Sequence, residues 1–375
     1  MKKRRYFLVA LSFMTQLVVT AQDVNIGGTL QNTDMPHGMT VEADSLLMDF
    51  ENRSLLKERK DVVISDKPYD DKVLIDRIAH IPTTIEMPLN NITRQYIDQY
   101  CNKMRRSVSV MLGSSNFYMP FFEEALEKYG LPLELKYLPV VESALRPTAQ
   151  SPAGAVGLWQ FMLATGKGYG LEVNTLVDER RDPLKSSYAA AHYLSDLYNR
   201  FHDWGLAIAA YNCGENNVAK AILRAGNPEA TDYWTVYNYL PKETRGYVPA
   251  FIAATYVMNY YCEHGIVPME ASMPIETDTV VVRKDVAFTN VSEICKVSLD
   301  ELRMLNPQYR RDIVPMDYSL RMPNHAIEAF VVNEDSIYTR SSSLRRETIE
   351  DIKDQTTVKK KTTTRRKSTR RRRRR

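Results

Sequence analysis

The stretch Glu142–Met162, ESALRPTAQSPAGAVGLWQFM, decides how the rest of the chain is interpreted. It begins with a carboxylate, Glu142, directly behind the apolar run Leu138–Val141. Its middle, Ser151–Gly157, consists mostly of small residues, which let a backbone come close to a bulky ligand. It ends with Trp159 beside an amide, which we interpret as an aromatic wall. An acid in an apolar setting keeps its proton longer and can serve as a general acid, so the stretch predicts a sugar site.

The simpler alternative is that Glu142 is a solvated residue near a helix end. Two later segments argue against this alternative. They are AYNCG at 210–214 and LPKETRGYVP at 240–249. Together with ESAL and GLWQFM they resemble, in order, the motifs of lytic transglycosylases with the goose-lysozyme-like fold, glycoside hydrolase family 23, of the membrane-bound lytic murein transglycosylase D type. The resemblance covers roughly residues 74–268. GLWQ alone would be a weak signal, whereas four motifs in order are a strong one.

The resemblance assigns a role to each matching position. Glu142 corresponds to the catalytic acid and base, and Tyr247 to a tyrosine whose hydroxyl lies near that carboxylate. The substrate-binding positions that it implies are Ser143, Gln160, Met162, Tyr211 and Asn212. Three alternatives stay open at this point: Tyr211 and Trp159 as plain core aromatics, and Ser143 as a helix-end cap.

The family resemblance also explains a shortage of acids. Most glycosidases divide the work between two carboxylates, but only Glu142 lies in a convincing setting. The acids of VDERRDP, residues 177–183, are expected to form a structural charge network. Glu243 is a secondary candidate, four residues before Tyr247 and able to share a helix face with it.

In the family that the sequence resembles, one acid is enough. The 6-hydroxyl of N-acetylmuramic acid attacks the anomeric carbon of the same sugar and leaves a 1,6-anhydro end. The implied function is therefore a peptidoglycan lytic transglycosylase that remodels cell wall, and the implied partner is the glycan strand. Two alternatives remain. One is a peptidoglycan-binding protein with an inactive lysozyme-like domain, which the presence of Glu142 disfavours. The other is a muramidase that uses water, which the lack of a second acid disfavours.

The charge is distributed unevenly along the chain. The formal net charge is +4, yet residues 359–375 alone hold twelve basic residues and no acidic one. The body is therefore acidic and the tail, 341–375, is predicted to be disordered because it cannot bury enough apolar surface. Anionic envelope polymers are the expected partner of the tail. Nucleic acid is disfavoured, since the body offers no basic groove with interleaved aromatics.

The N-terminus has the pattern of a secretory signal peptide. Four basic residues precede an apolar segment that ends in small residues near Ala21. The segment is short for a bilayer span, although an uncleaved anchor stays open. We expect an exported protein of the periplasm or cell envelope, with membrane association undecided.

Metal and cofactor chemistry find little basis in the sequence. Four scattered cysteines without CxxC spacing argue against zinc and against a disulfide scaffold, although one bridge is allowed. No HExxH, phosphate loop or GxSxG occurs. The sequence therefore predicts neither a metal nor a cofactor.

The periodicity predicts a mostly α-helical protein with a small α+β module after the helical part, and the family resemblance implies that the helical part is a lysozyme-like domain. Helical spacing is expected over 74–112, 120–129, 187–201, 206–211 and 217–225, and in a long helix from Pro249. Strands at 279–282 and 318–322 enclose two short helices, capped at Asn290 and Ser298. This βααβ order, with Leu305-Asn306-Pro307, resembles the LysM glycan-binding module. Lys284-Asp285-Val286-Ala287 replaces its usual Gly-Asp-Thr-Leu, which bears on glycan binding more than on the fold.

These patterns define the expected organisation of the chain. The predicted segments are a signal peptide at 1–21, a flexible lead-in at 22–73, a lysozyme-like transglycosylase domain at 74–268, a LysM-like module at 276–332 and a basic tail at 341–375.

Overall fold

The structure is a computed structural model that describes residues 69–226, 232–271, 273–274 and 276–341, with short pieces at 35–36 and 56–57. The predicted signal peptide, most of the lead-in and nearly all of the basic tail lie outside the described residues. Their predictions therefore stay predictions. Within the described part, no helix combines the length and apolar character needed to cross a bilayer.

The first and larger part of the fold is a bundle of helices around one hydrophobic core. Its helices are α1 Asp71–Ala79, α2 Asn91–Asp98, α3 Arg105–Lys128, α4 Leu138–Ser143, α5 Leu163–Gly168, α6 Pro183–Phe201, α7 Trp204–Cys213, α8 Glu215–Ala225, α9 Tyr233–Val236, α10 Lys242–Arg245 and α11 Tyr247–Tyr260. A two-residue ribbon pairs β1, Leu56–Lys57, with β2, Glu270–Ala271. The prediction of a mostly α-helical protein is confirmed.

The predicted single helix over 74–112 is wrong, because the chain stops and restarts there. Pro82 and Pro88 fall between α1 and α2, and proline cannot donate a helical hydrogen bond. Asn90 then caps α2, its side chain accepting from two main-chain amides at 2.9 and 3.0 Å.

The predicted separate helix at 120–129 is also wrong, since α3 runs through Pro120 without a break. Tyr118 and Phe122, on either side of the proline, are fully buried. Their packing on one core compensates for the lost hydrogen bond.

The helix that carries Glu142 forms in two pieces, since Pro139 cannot donate the hydrogen bond that would continue a helix from the residues before it. A 3₁₀ turn at Leu133–Tyr137 leads into α4, and Pro139 lies in the first turn of α4, where its missing N–H costs nothing. Ala144 and Leu145 then take left-handed conformations, with φ of 50° and 58°. The helix therefore ends one residue after Glu142.

The remaining helices follow their sequence signals closely. Asp182 caps α6 through two main-chain amides, and Gly226 ends α8 in a left-handed conformation with φ of 73°. Pro249 lies in the first turn of α11, in which twelve of fourteen residues are buried. This helix and α7 form the centre of the bundle.

The second part is a small module with its own hydrophobic core. Its elements are β3 Thr277–Val281, β4 Val286–Ala287, α12 Phe288–Cys295, α13 Leu299–Leu305, β5 Ile313–Val314, β6 Ser319–Pro323 and α14 Asn324–Val332. Strand β3 pairs antiparallel with β6, and β4 with β5. The βααβ order is confirmed, and the short β4–β5 ribbon was not predicted.

The two predicted caps of the module have different outcomes. Ser298 caps α13 by accepting from the amide of Glu301 at 3.1 Å, as predicted. Asn290 lies inside α12, and its side chain donates to Ser341 Oγ at 2.9 Å, so that prediction is wrong. Asn306 bonds the main chain of Arg321 in both directions, at 2.8 Å each, which joins α13 to β6.

Candidate active site

Glu142 lies near the C-terminal end of α4, a helix that is otherwise almost entirely buried. Leu138, Val140 and Val141 have no exposed surface, and Glu142 itself is partly exposed. The left-handed residues that follow prevent another helical turn from covering it. The local sequence therefore leaves one acid at the edge of an apolar core.

The surroundings of Glu142 favour its protonated form. Burial raises the pKa of its carboxyl from 4.5 to about 7, and the charge of Glu243 acts in the same direction. The Tyr247 hydroxyl donates a hydrogen bond to Glu142 Oε1, which lowers the pKa and limits the rise. An acid with a pKa near neutrality can both give and take a proton at physiological pH.

Tyr247 is the first residue of α11, and it is held rigidly. Its side chain is almost fully buried. Burial first, and then the charge of Glu142, raise the pKa of the phenol well above 10. The hydroxyl therefore stays protonated and acts as a hydrogen-bond donor to Glu142.

A segment that we call the cleft loop, residues 151–162, contains the next candidates. Gln160 has a φ of +48°, which costs a residue with a Cβ about 1 kcal/mol or more. Its side-chain amide donates to the carbonyls of Gly157 at 2.8 Å and Ala149 at 3.3 Å. Its Oε1 atom is buried and has no hydrogen-bond partner among the described residues.

Trp159 does not form the aromatic wall that its position suggested. It has no exposed surface, its ring lies edge-on against Phe122, and its Nε1 donates to Ser187 Oγ at 2.9 Å. That interpretation was wrong, and the core alternative is correct. The ring therefore anchors the cleft loop to α3 and α6.

Tyr211 and Asn212 lie near the end of α7 and contact the same region. The Tyr211 hydroxyl donates to the Trp159 carbonyl at 2.8 Å, and Asn212 Oδ1 accepts from Thr244 Oγ1 at 2.9 Å. Both residues keep some exposure. The structure therefore brings the AYN motif to the cleft loop and to α10, the short helix before Tyr247.

Ser143 and Met162 differ in their access to a ligand. Ser143 is fully buried, and its hydroxyl lies 2.9 Å from the Leu158 carbonyl and 3.0 Å from that of Pro139. Met162 is 45% exposed at the start of α5. Met162 is thus open to a substrate, whereas Ser143 connects α4 to the cleft loop and its contact with substrate stays a prediction.

The remaining acids are placed largely as the sequence indicated. Glu243 lies on α10, exposed, and acts on Glu142 through its charge. The predicted charge network is confirmed: Asp178 pairs with Arg180 at 2.8 Å, Glu179 pairs with Lys185, and Asp182 caps α6.

Two residues near the site were not found by the motif comparison. Thr244 is buried and fixes Asn212, and Arg180 reaches the cleft loop from the VDERRDP segment. LPKET contains Thr244, but no local pattern marks a threonine as a partner of a distant asparagine.

Metal and disulfide chemistry have no visible basis in the described residues. No group of three or more His, Cys, Asp or Glu side chains there is placed to hold a metal ion. All four cysteines are described, and each is a free thiol.

Comparison with known proteins identifies the two parts of the fold. Residues 119–234 match the family model "Transglycosylase SLT domain". Residues 276–339 match the model "Lytic transglycosylase MltD, LysM-like domain". The larger part is thus a lysozyme-like SLT domain. The smaller part matches an MltD-type LysM-like domain, and both matches agree with the family that the motifs resemble.

Individual relatives agree with these matches. Membrane-bound lytic murein transglycosylase D of Escherichia coli (strain K12) is 32% identical over 222 residues, 59% of this chain and 48% of its own. Membrane-bound lytic murein transglycosylase F 1 of Alkalilimnicola ehrlichii is 32% identical over 134 residues, 33% of this chain and 26% of its own. The chain thus spans about half the length of the E. coli relative.

Proposed function

We propose that this protein is a peptidoglycan lytic transglycosylase. It cleaves the β-1,4 bond between N-acetylmuramic acid and N-acetylglucosamine without water and leaves 1,6-anhydro-N-acetylmuramic acid ends. The observation that carries the proposal is Glu142, an acid with a pKa of about 7 whose side-chain hydrogen-bond partner is a tyrosine. In enzyme terms it is a carbon–oxygen lyase acting on a polysaccharide.

The geometry suits a mechanism with one acid. Glu142 gives its proton to the glycosidic oxygen while the bond from that oxygen to the anomeric carbon breaks. The resulting carboxylate then takes the proton of the 6-hydroxyl as its oxygen bonds to the same carbon. Glu142 ends as it began, and the atoms balance without water.

The other proposed roles surround this exchange. Tyr247 donates its hydrogen bond to the carboxylate between the two proton transfers. Gln160 and the exposed Met162 contact the sugar, as do Tyr211 and Asn212. The internal attack gains from high effective molarity, which replaces a second protein carboxylate.

The proposed setting is the cell envelope. A signal peptide at 1–21 exports the protein to the periplasm, and the basic tail at 341–375 holds anionic envelope polymers. The names of the relatives describe membrane-bound proteins. The LysM-like module departs from the usual glycan-binding pattern in its first-strand motif, so we assign the cleavage to the SLT domain.

Mass spectrometry of muropeptides after digestion of purified sacculi tests the proposal. Anhydro ends that appear with the wild type and not with Glu142→Gln support it. Reducing ends would identify a muramidase instead. Retention on sacculi without any product would identify a binding protein with an inactive domain.

A further inference from the structure

A loop of the SLT domain belongs to the core of the LysM-like module. This docking loop, residues 172–181, precedes α6 in the chain. Its Val177 is fully buried, and it packs in the hydrophobic cluster of the module rather than in that of the helical bundle. The docking loop therefore contributes to the core of the module although it lies between helices of the bundle in the chain.

Main-chain hydrogen bonds fix the docking loop to the module. The amide of Asp178 donates to the Gln308 carbonyl at 2.9 Å, and the amide of Arg310 donates to the Leu176 carbonyl at 2.8 Å. Such bonds do not depend on side-chain rotamers. The module consequently sets the position of Asp178.

Arg180 connects the docking loop to the cleft loop. Its guanidinium is buried and bonded to Asp178 at 2.8 and 2.9 Å. Its Nη1 also donates to the carbonyls of Gly154 and Phe161, both at 3.2 Å. At Gly157 a Cβ would lie 1.8 Å from the Arg180 carbonyl oxygen, so the two backbones touch there.

The cleft loop needs such support because its conformation is not locally favourable. Gln160 has a positive φ, and strained conformations persist where surrounding contacts hold them. Phe161, whose carbonyl Arg180 binds, lies between Gln160 and Met162. A shift of Arg180 would therefore move two proposed substrate contacts.

We propose that Arg180 is a positioning residue for the cleft loop, and that the LysM-like module holds the catalytic cleft in shape through the docking loop. The module is then part of the catalytic unit, whatever it binds itself. The kinetic consequence rests on the proposed transglycosylase function, whereas the structural consequence does not.

A matched pair of valines tests the proposal in the full-length protein. Val177 and Val291 are both fully buried in the core of the module, but Val177 lies on the docking loop and Val291 on α12. Val177→Ala and Val291→Ala delete the same two methyl groups. Hydrogen exchange at the amides of Val156 and Phe161, which bond each other's carbonyls, reports the cleft loop.

We expect Val177→Ala to speed exchange at these two amides about tenfold and to lower kcat/KM by a similar factor. Val291→Ala should lower the melting temperature about as much as Val177→Ala does. It should change neither the exchange at the two amides nor kcat/KM. Equal effects of both variants, or no effect of Val177→Ala, would overturn the proposal.

Arg180→Lys is the second variant, because lysine keeps the charge and loses the fork that binds Asp178 and two carbonyls together. Faster exchange at Phe161 and a lower kcat, with the pH dependence of the rate unchanged, are expected. Wild-type exchange and rate would refute a positioning role. If the wild type makes no anhydro ends, the proposed function fails while the exchange comparison still decides this inference.

Discussion

Glu142 and Asp178 are two carboxylates of the same domain in opposite surroundings. Glu142 accepts a hydrogen bond from the Tyr247 hydroxyl and has a pKa raised to about 7 by burial, and no cation of the described residues contributes to that pKa. Asp178 is 2% exposed and is bonded by the guanidinium of Arg180. Removing the partner of a paired buried charge leaves an uncompensated charge in the core, whereas a buried acid without a cation holds a proton that it can transfer.

The largest effect is expected when the unpaired acid, Glu142, is replaced by its amide. Glu142→Gln keeps the shape of the side chain but has no acidic proton. The rate of anhydro-end formation on sacculi should fall at least about a thousandfold, within the range that general acid–base catalysis contributes. The fold, checked by circular dichroism, should be intact.

Glu243→Gln is the matched control for that experiment. It changes an exposed carboxylate that acts on Glu142 through its charge. A rate within a few-fold of wild type is expected. Strong loss in Glu243→Gln with full activity in Glu142→Gln would transfer the acid role to Glu243.

The same amide change at the paired acid should lower stability, and it should affect the rate only through the position of Arg180. Asp178→Asn leaves the buried guanidinium of Arg180 without its counter-charge, a type of change that costs about 3 kcal/mol or more. Urea unfolding at pH 7 measures it. The pH at which the rate falls should stay in place, since Asp178 does not contribute to the pKa of Glu142. A stability equal to wild type would contradict the comparison.

The motifs predicted which residues the fold brings together better than they predicted the contacts of those residues. The one-acid argument and the AYN and LPKET segments led to Glu142, Tyr211 and Tyr247, which the fold brings into one region. The buried position of Trp159 could not be predicted, because an aromatic residue beside a glycine loop suits a wall and a core equally. Arg180 was assigned to a charge network, but its bonds to the cleft loop depend on tertiary contacts.

The fold shows the same division between local and long-range information. Caps and helix ends that depend on neighbouring residues, such as the Ser298 cap and the end of the helix predicted over 217–225, were predicted correctly. Pro120 was taken as a boundary, although tertiary packing carries α3 through it. Asn290 has a capping pattern in sequence, yet the hydroxyl of Ser341 binds it inside α12.

Stability as a function of pH should separate Glu142 from Asp178 again. The pKa of Glu142 is raised by folding, so its contribution to stability is full below about pH 4.5 and is lost as the pH rises through about 7. Glutamine carries no charge to bury. At pH 8 the free energy of unfolding of Glu142→Gln should therefore exceed that of the wild type by on the order of 2 kcal/mol, allowing for partial solvent access.

Near pH 4 the difference between wild type and Glu142→Gln should disappear. Unfolding curves at pH 4, 6 and 8 measure it. A difference in the free energy of unfolding that is constant across this range would mean that folding does not raise the pKa of Glu142. The contrast between Glu142 and Asp178 would then be wrong.

The smallest predicted effect concerns the single hydrogen bond that Glu142 receives. Tyr247→Phe keeps a ring that is almost fully buried and removes one oxygen. The hydroxyl stabilises the carboxylate, so its loss should raise the pKa of Glu142 above about 7 and move the fall of the rate to higher pH. At pH 6 the rate should drop about tenfold, since ~1.4 kcal/mol of lost transition-state stabilisation is a factor of ten. The melting temperature should change little. A wild-type rate and pH profile with an unchanged melting temperature would make Tyr247 a packing residue, and burial alone would then account for the acid at Glu142.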